Sequence, residues 1–207
     1  MPELPEVETT LRGIEPYMKD RRIRSVQVRD RRLRWPVPES VQNAAGQTVL
    51  GMQRRAKYML IRVGTGTLLI HLGMSGSMRV LTEPAEPGKH DHFDIVMDDS
   101  TIRFNDPRRF GAFLWWEDPV DQHPLLANLG PEPLSSDFDG EHLYRMSRQR
   151  KLAVKNFIMD GKVVVGVGNI YASEALFMAG IHPNRAAGRV SSARYSGLAE
   201  AIRDVLS

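Results

Sequence analysis

The chain has 207 residues, is 42% hydrophobic and carries a formal net charge of +3, enough apolar material for one large domain or two small ones. No apolar run approaches the roughly 20 residues that span a bilayer, and the N-terminus lacks a signal peptide's apolar region, so no membrane partner and a cytoplasmic location are expected. The absence of cysteine excludes disulfides and thiolate metal sites.

The sequence opens Met1-Pro2-Glu3. Loss of Met1 would free the Pro2 nitrogen as a secondary α-amine beside a carboxylate. Its reference pKa of about 7.7–8.0, against about 10.4 for lysine, leaves more of it unprotonated and nucleophilic near neutral pH. The iminium it forms with a sugar carbon is cationic, an electron sink that needs no further proton. Val7, Leu11 and Ile14 fall at helical spacing and predict a helix over roughly residues 3–18, in which Pro2, Glu3 and Glu6 equally suit an ordinary helix start. From Ile23 to about Trp116 the pattern changes to short β-rich runs at Ile23/Val26/Val28, 48–50, 58–61, 67–70, 77–80, 93–96, 101–104 and 111–115. Tight turns separate them, which predicts a sandwich or a barrel.

Residues 129–134, with Pro131 and Pro133 flanking Glu132, predict an interdomain linker. Beyond it the pattern is helical. Asp139 or Ser135 can cap a helix holding Leu143 and Met146; a second runs from near Ser147 through Leu152, Val154, Phe157 and Ile158. A third holds Ile170, Ala172, Leu176 and Phe177, and a fourth starts at Ser191 and Ser192 and carries Leu198, Ile202, Val205 and Leu206. The expected division is residues 1–129, a linker at 130–134, and a helical domain at 135–207.

Several stretches carry chemistry. Arginines cluster at 21–34, at 54–57 with Lys57, and at 145–155 with Lys151 and Lys155, a distribution that suits a polyanion or a solvated surface. Gln53-Arg54-Arg55-Ala56-Lys57-Tyr58 places three cations ahead of a strand, where Lys57 alternates with buried neighbours and could project into a cleft, or marks a solvated strand edge. Met74 stands in a turn between Gly73 and Gly76, where an exposed methionine can wedge between bases. Asp106-Pro107-Arg108-Arg109-Phe110-Gly111 mixes guanidinium groups with an aromatic, a combination able to touch phosphates, base edges and a gap in a base stack, or simply an ordinary turn. The apolar run 163–167 opens through Gly166 and Gly168 into a helix near Asn169, where backbone N–H groups form an anion pocket suited to a phosphate. The spacing is not that of a dinucleotide fingerprint.

These motifs, together with Pro2-Glu3-Leu4-Pro5-Glu6-Val7-Glu8-Thr9, His71-Leu72-Gly73-Met74-Ser75-Gly76 and Gly166-Val167-Gly168-Asn169-Ile170-Tyr171-Ala172-Ser173-Glu174, resemble in this order bacterial formamidopyrimidine-DNA glycosylase. The resemblance covers essentially the whole chain. Leu4 stands where the related endonuclease VIII has glycine, which favours the oxidised-purine branch.

The resemblance implies an α+β fold: an N-terminal helix plus β-sandwich domain, then a helix-two-turns-helix domain, with damaged double-stranded DNA in the cleft between them. It implies a monomeric base-excision-repair enzyme of the bacterial nucleoid that flips out 8-oxoguanine or a formamidopyrimidine, excises it, and cleaves the abasic site by β,δ-elimination through a Pro2 Schiff base. Glu3 would transfer protons and Lys57 would serve elimination. Met74, Arg108 and Phe110 would fill the gap left by the flipped base; His90, Arg109, Arg150, Lys155 and Asn169 would hold DNA; Glu6 and Glu174 would orient the site. The family continues into a lesion-covering loop and a four-cysteine zinc hairpin, which this cysteine-free chain lacks, so no cofactor is expected to bind and truncation is expected. A non-catalytic damaged-DNA-binding remnant is the alternative, and a proline-amine enzyme on small carbonyls a distant third.

Overall fold

The computed structural model describes residues 2–117 and 119–207; Met1, whose loss would free the Pro2 amine, lies outside them. The fold is α+β. The chain divides into two compact units, one of Pro2 with Glu6–Leu126 and one of Glu3–Pro5 with Ala127–Ser207.

The first unit is built on α1 (Leu4–Met18) and eight strands: β1 (Ser25–Val28), β2 (Gly51–Arg55), β3 (Tyr58–Val63), β4 (Gly66–His71), β5 (Ser77–Leu81), β6 (Asp91–Val96), β7 (Thr101–Asn105) and β8 (Ala112–Trp116). They form two four-stranded sheets in the orders β1-β6-β7-β5 and β2-β3-β4-β8, all paired antiparallel, which makes a sandwich rather than a barrel. Alternation sends Met59, Ile61, Val63, Leu68, Ile70 and Phe113 of one sheet and Phe93, Ile95, Ile102 and Phe104 of the other into a common core, joined by Val7, Leu11, Ile14 and Met18 of α1. Phe93 stacks on Phe104 at 4.8 Å and on Phe113 at 3.9 Å, an aromatic ladder worth about 0.5–1.5 kcal/mol per pair beyond area burial.

Two sequence expectations shift. Residues 48–50 make only isolated bridges, Thr48 with Arg22 and Val49 with Lys19, and ladder pairing begins at Gly51. Lys57 does not alternate along a strand. Arg55 pairs with Tyr58, which leaves Ala56 and Lys57 as a two-residue hairpin turn.

Beneath the β1-β6-β7-β5 sheet surface, Asp94 accepts two hydrogen bonds from Arg29 at 2.9 and 2.7 Å and two from Arg103, both at 2.9 Å. Asp94 and Arg103 have side chains only 4% and 7% exposed. Burial alone would raise the Asp94 pKa, but hydrogen bonds from Arg29 and Arg103 outweigh it and hold the carboxyl below its ordinary value.

The second unit is helical: α2 (Gly140–Ser147), α3 (Val154–Ile158), α4 (Asn169–Met178) and α5 (Ser192–Leu206). Of the two candidate caps for α2, Asp139 serves, accepting from the His142 N–H at 2.7 Å; Ser191 caps α5. The helix expected from Ser147 to Ile158 is confined to Val154–Ile158. Gln149 adopts a left-handed φ of 62°, and the Arg148 guanidinium takes the carbonyls of Tyr144 and Val190, so α2 stops before the second apolar run begins. On α4 the buried face is Ala172, Ala175 and Leu176, whereas Ile170 and Phe177 are 52% and 87% exposed.

Residues 130–134 are bonded within the second unit. The Gly130 N–H bonds to the Gly161 carbonyl at 2.7 Å, the Pro131 carbonyl accepts from Val165, and the Pro133 carbonyl accepts from Arg203. The prolines have no N–H to give, but their carbonyls remain acceptors, and the segment packs as part of the second unit.

Replacing Asp94 with alanine leaves Arg29 and Arg103 facing each other and is expected to cost about 3–5 kcal/mol, read by urea unfolding at neutral pH. Because the folded Asp94 pKa is depressed, its contribution is complete above the ordinary value of 3.8 and disappears as pH falls below it, so wild type and variant should converge in acid.

Candidate functional site

In the second unit the dominant feature is a carboxylate at a helix N-terminus. Glu3 is 1% exposed. Its Oε2 accepts from the Gly168 N–H at 2.7 Å and the Tyr171 N–H at 3.3 Å, and its Oε1 from the Ile170 N–H at 2.9 Å. The first N–H groups of a helix have no internal partner and carry its positive dipole end, so an anion there satisfies them and gains up to about 2 kcal/mol when partly buried. The sequence predicts this same anion pocket for an external phosphate; an internal carboxylate occupies it instead. Two glycines permit the approach. A Cβ on Gly168 would lie 2.4 Å from the Glu3 carboxyl carbon, and Gly166, at φ 84°, would place one 2.5 Å from Leu4 Cδ1. The Leu4 N–H also bonds to the Gly166 carbonyl at 3.2 Å. The two residues that follow Pro2 are therefore held in turn, Glu3 by its side chain and Leu4 by its backbone.

The other predicted residues of this unit lie apart from that bond network in character. Asn169 and Glu174 are exposed on α4, Lys155 is half-buried on α3, and Arg150 is exposed with its Nε bonded to the Met146 carbonyl at 3.1 Å.

In the first unit Pro2 is half-buried ahead of α1, and Glu6 is exposed in the helix's first turn. Lys57 occupies the tip of the β2–β3 turn, next to Ala56, whose φ of 54° is uncommon for a residue with a Cβ. Beneath it is a residue to which the sequence assigns no role. His71 packs against Tyr58 with ring centroids 4.8 Å apart and planes tilted by 58°, and its Nδ1 accepts from the Gly73 N–H at 2.9 Å, which leaves the proton of the neutral ring on Nε2. Burial, then the charges of Lys57 and Arg34, depress the His71 pKa from 6.5 to about 4. Burial likewise raises that of Tyr58. The signal for His71 was present in its place one residue before a glycine turn, but a lone histidine in a strand more often belongs to the core.

Met74, Arg108 and Phe110 are brought together. Met74 is 42% and Phe110 43% exposed, and the Arg108 guanidinium lies over the Phe110 ring at 5.0 Å. Arg109, at φ 59°, pairs with Asp30 at 2.9 Å. A hydrogen bond from Arg32, with the Arg109 charge adding to it, holds the Asp30 carboxyl well below the usual carboxylate range. His90 is half-buried, its carbonyl accepting from the Asp106 N–H at 3.0 Å.

The arginine cluster at 21–34 is largely spent inside the chain. Arg21 pairs with Asp99, Arg24 with Asp98, Arg29 with Asp94, Arg31 with Glu39 and Arg32 with Asp30. Among the described residues no group of three or more His, Cys, Asp or Glu side chains suits a metal ion. No helix among them is long and apolar enough to cross a membrane.

Comparison with known proteins agrees with this geometry. The family model for the formamidopyrimidine-DNA glycosylase N-terminal domain matches residues 1–113, and that for the corresponding H2TH domain matches residues 129–207. The formamidopyrimidine-DNA glycosylases of Stutzerimonas stutzeri and Hahella chejuensis are each 59% identical over 209 residues, covering all of this chain and 77% of theirs. A crystal structure of the Lactococcus lactis enzyme non-covalently bound to DNA with an abasic site superposes with a TM-score of 0.93 at 31% identity, covering 99% of this chain and 80% of that one. A mutant of that enzyme with DNA containing Fapy-dG gives a TM-score of 0.92 at 31% identity over 99% and 77% of the two chains. MutM with DNA containing carbocyclic 8-oxo-G gives 0.91 at 32% over 99% and 78%.

The neutral His71 makes a pH prediction. The unfolded chain takes up a proton below about pH 6.5 that the folded chain refuses until about pH 4, so stability falls across that interval, by at most about 3 kcal/mol from this group. His71→Asn, which keeps an acceptor for Gly73, should flatten the slope when urea unfolding is followed between these two pH values.

Proposed function

Because the chain belongs to the formamidopyrimidine-DNA glycosylase family, we propose that it excises oxidised purines from duplex DNA and then cleaves the abasic site it has made. It is a DNA glycosylase of this type, and its fold is shared with enzymes held on damaged DNA. The lesions in those related complexes, an abasic site, Fapy-dG and an 8-oxo-G analogue, support oxidised and ring-opened purines as substrates.

The observation that carries the reading is Glu3. A carboxylate whose two oxygens meet backbone N–H donors stands one peptide bond from the Pro2 nitrogen. With Met1 removed, the neutral Pro2 amine attacks C1′ of the deoxyribose as the damaged base leaves with the bonding electrons. The new ammonium passes its proton to Glu3. Glu3 returns it to the ring oxygen as the C1′–O bond breaks, and the nitrogen lone pair closes an iminium on C1′. The iminium acidifies the C2′ proton; its loss expels the 3′ phosphate, and a second elimination expels the 5′ phosphate. Lys57, presented at the tip of a hairpin turn, is the cation that serves these eliminations and the phosphates. Met74, Arg108 and Phe110 fill the space the flipped nucleotide vacates. His90, Arg109, Arg150, Lys155 and Asn169 hold the backbone, while Glu6 and Glu174 orient the reacting groups.

Borohydride reduction with a duplex carrying 8-oxoguanine opposite cytosine is expected to trap a covalent adduct that maps to Pro2. Glu3→Gln should lower base excision by about 10²–10⁴-fold while leaving duplex binding within severalfold. A chain that binds the lesion yet traps on neither this duplex nor a pre-formed abasic site is instead a non-catalytic binder. Affinity should fall steeply with salt, log K declining by roughly 0.9 per phosphate contact for each unit of log salt; a flat dependence removes the cations from the interface.

A further inference from the structure

Met74 and Phe110 come from different loops, and what joins those loops is a buried carboxylate. Asp106 is fully buried. Its Oδ1 accepts from the Ser75 hydroxyl at 2.6 Å and the Arg108 N–H at 3.3 Å, and its Oδ2 from the Gly111 N–H at 2.8 Å. Ser75 is the residue after Met74, and its hydroxyl oxygen also accepts from the Arg108 N–H at 3.2 Å. One carboxylate thus grips the first loop by a side chain and the second by two backbone donors that flank Phe110.

Two further contacts tighten the joint. Gly73, at φ 65°, approaches so closely that a Cβ there would lie 2.3 Å from the Phe110 carbonyl carbon. A bulge in the β6–β7 pairing between Asp91 and Phe93 frees His92, whose buried Nε2 lies 2.7 Å from the Asp106 carbonyl oxygen. Asp106 is held from both its backbone and its carboxylate, and none of its own atoms reaches the exposed surface where Met74 and Phe110 stand.

We propose that Asp106 is a positioning residue: its carboxylate locks the Met74 loop and the Arg108–Phe110 loop into one preformed wedge, so that insertion into the base stack orders no loop at the moment of binding. The proposal rests on the glycosylase reading above. Loops ordered beforehand lose less entropy on insertion, and a misplacement of about 1 Å in a positioning group can cost about 10²-fold in rate.

Two variants and two substrates test this. Ser75→Ala removes the cross-loop bond and leaves Asp106 both of its backbone donors; Asp106→Asn keeps the volume but turns one acceptor into a donor that faces an N–H. On a duplex with 8-oxoguanine opposite cytosine, single-turnover excision should fall at least about tenfold in each, and a 2-aminopurine beside the lesion should lose the fluorescence change that reports unstacking. On a single-stranded abasic oligonucleotide, where there is no stack to enter, borohydride trapping should stay within about twofold of wild type. A merely structural role lowers both substrates together, and that parallel fall, or an unchanged duplex rate, overturns the proposal. If Asp106→Asn does not fold, Ser75→Ala decides alone. Failure of the wild type itself to trap on the lesion duplex, an abasic duplex and the single strand alike is a separate result, which removes the Pro2 Schiff-base reading.

Discussion

A carboxylate at the start of the chain sits on the open end of a helix more than 160 residues away, and the packing of the second unit is built around that contact. The N-terminus of α4 has unsatisfied donors that any nucleic-acid phosphate could meet, and Glu3 meets them first. The dipole therefore orders a segment of the protein's own chain that would otherwise fray, as chain termini usually do. Residues 3–5 count with the second unit for this reason, although α1 continues through the first.

The first unit solves a different problem. Apolar side chains that stay exposed must be kept from collapsing onto their own surface. Met74 and Phe110 stand outward because the backbone beneath them is fixed by close glycine contacts and by hydrogen bonds rather than by burial of the side chains themselves. The same economy governs charge. Most arginines of the 21–34 stretch are matched by aspartates and glutamates of the same unit.

Local patterns carried much of this into the sequence. The α1 periodicity, the short alternating strands and the Asp139 cap are all features of neighbours in the chain, and each reappears in the structure. Long-range partners did not show. A glycine pair ahead of a helix announces an anion pocket, but nothing near residue 168 says that the anion is residue 3. Lys57 read as part of a strand because a left-handed alanine, Ala56, makes the turn where glycine or asparagine would have signalled one. The helix expected from Ser147 fails for a related reason: its apolar spacing is correct, while the interruption comes from the carbonyls that Arg148 captures at a distance. Asp106 looked like the first residue of an ordinary turn, and only the fold reveals that it faces Ser75.

The contact between Gly168 and Glu3 also bears on how this chain can drift. Every missense change reachable from a glycine codon by one base introduces a Cβ, and at residue 168 that atom meets the Glu3 carboxyl group at 2.4–2.7 Å. Shortening residue 3 to make room would withdraw the carboxylate from the helix end it serves. The two positions, 165 residues apart, are therefore bound to one another in descent: neither has a neutral neighbour in sequence space through which the other could be relieved. Divergence in this chain has to accumulate around that pair, not through it.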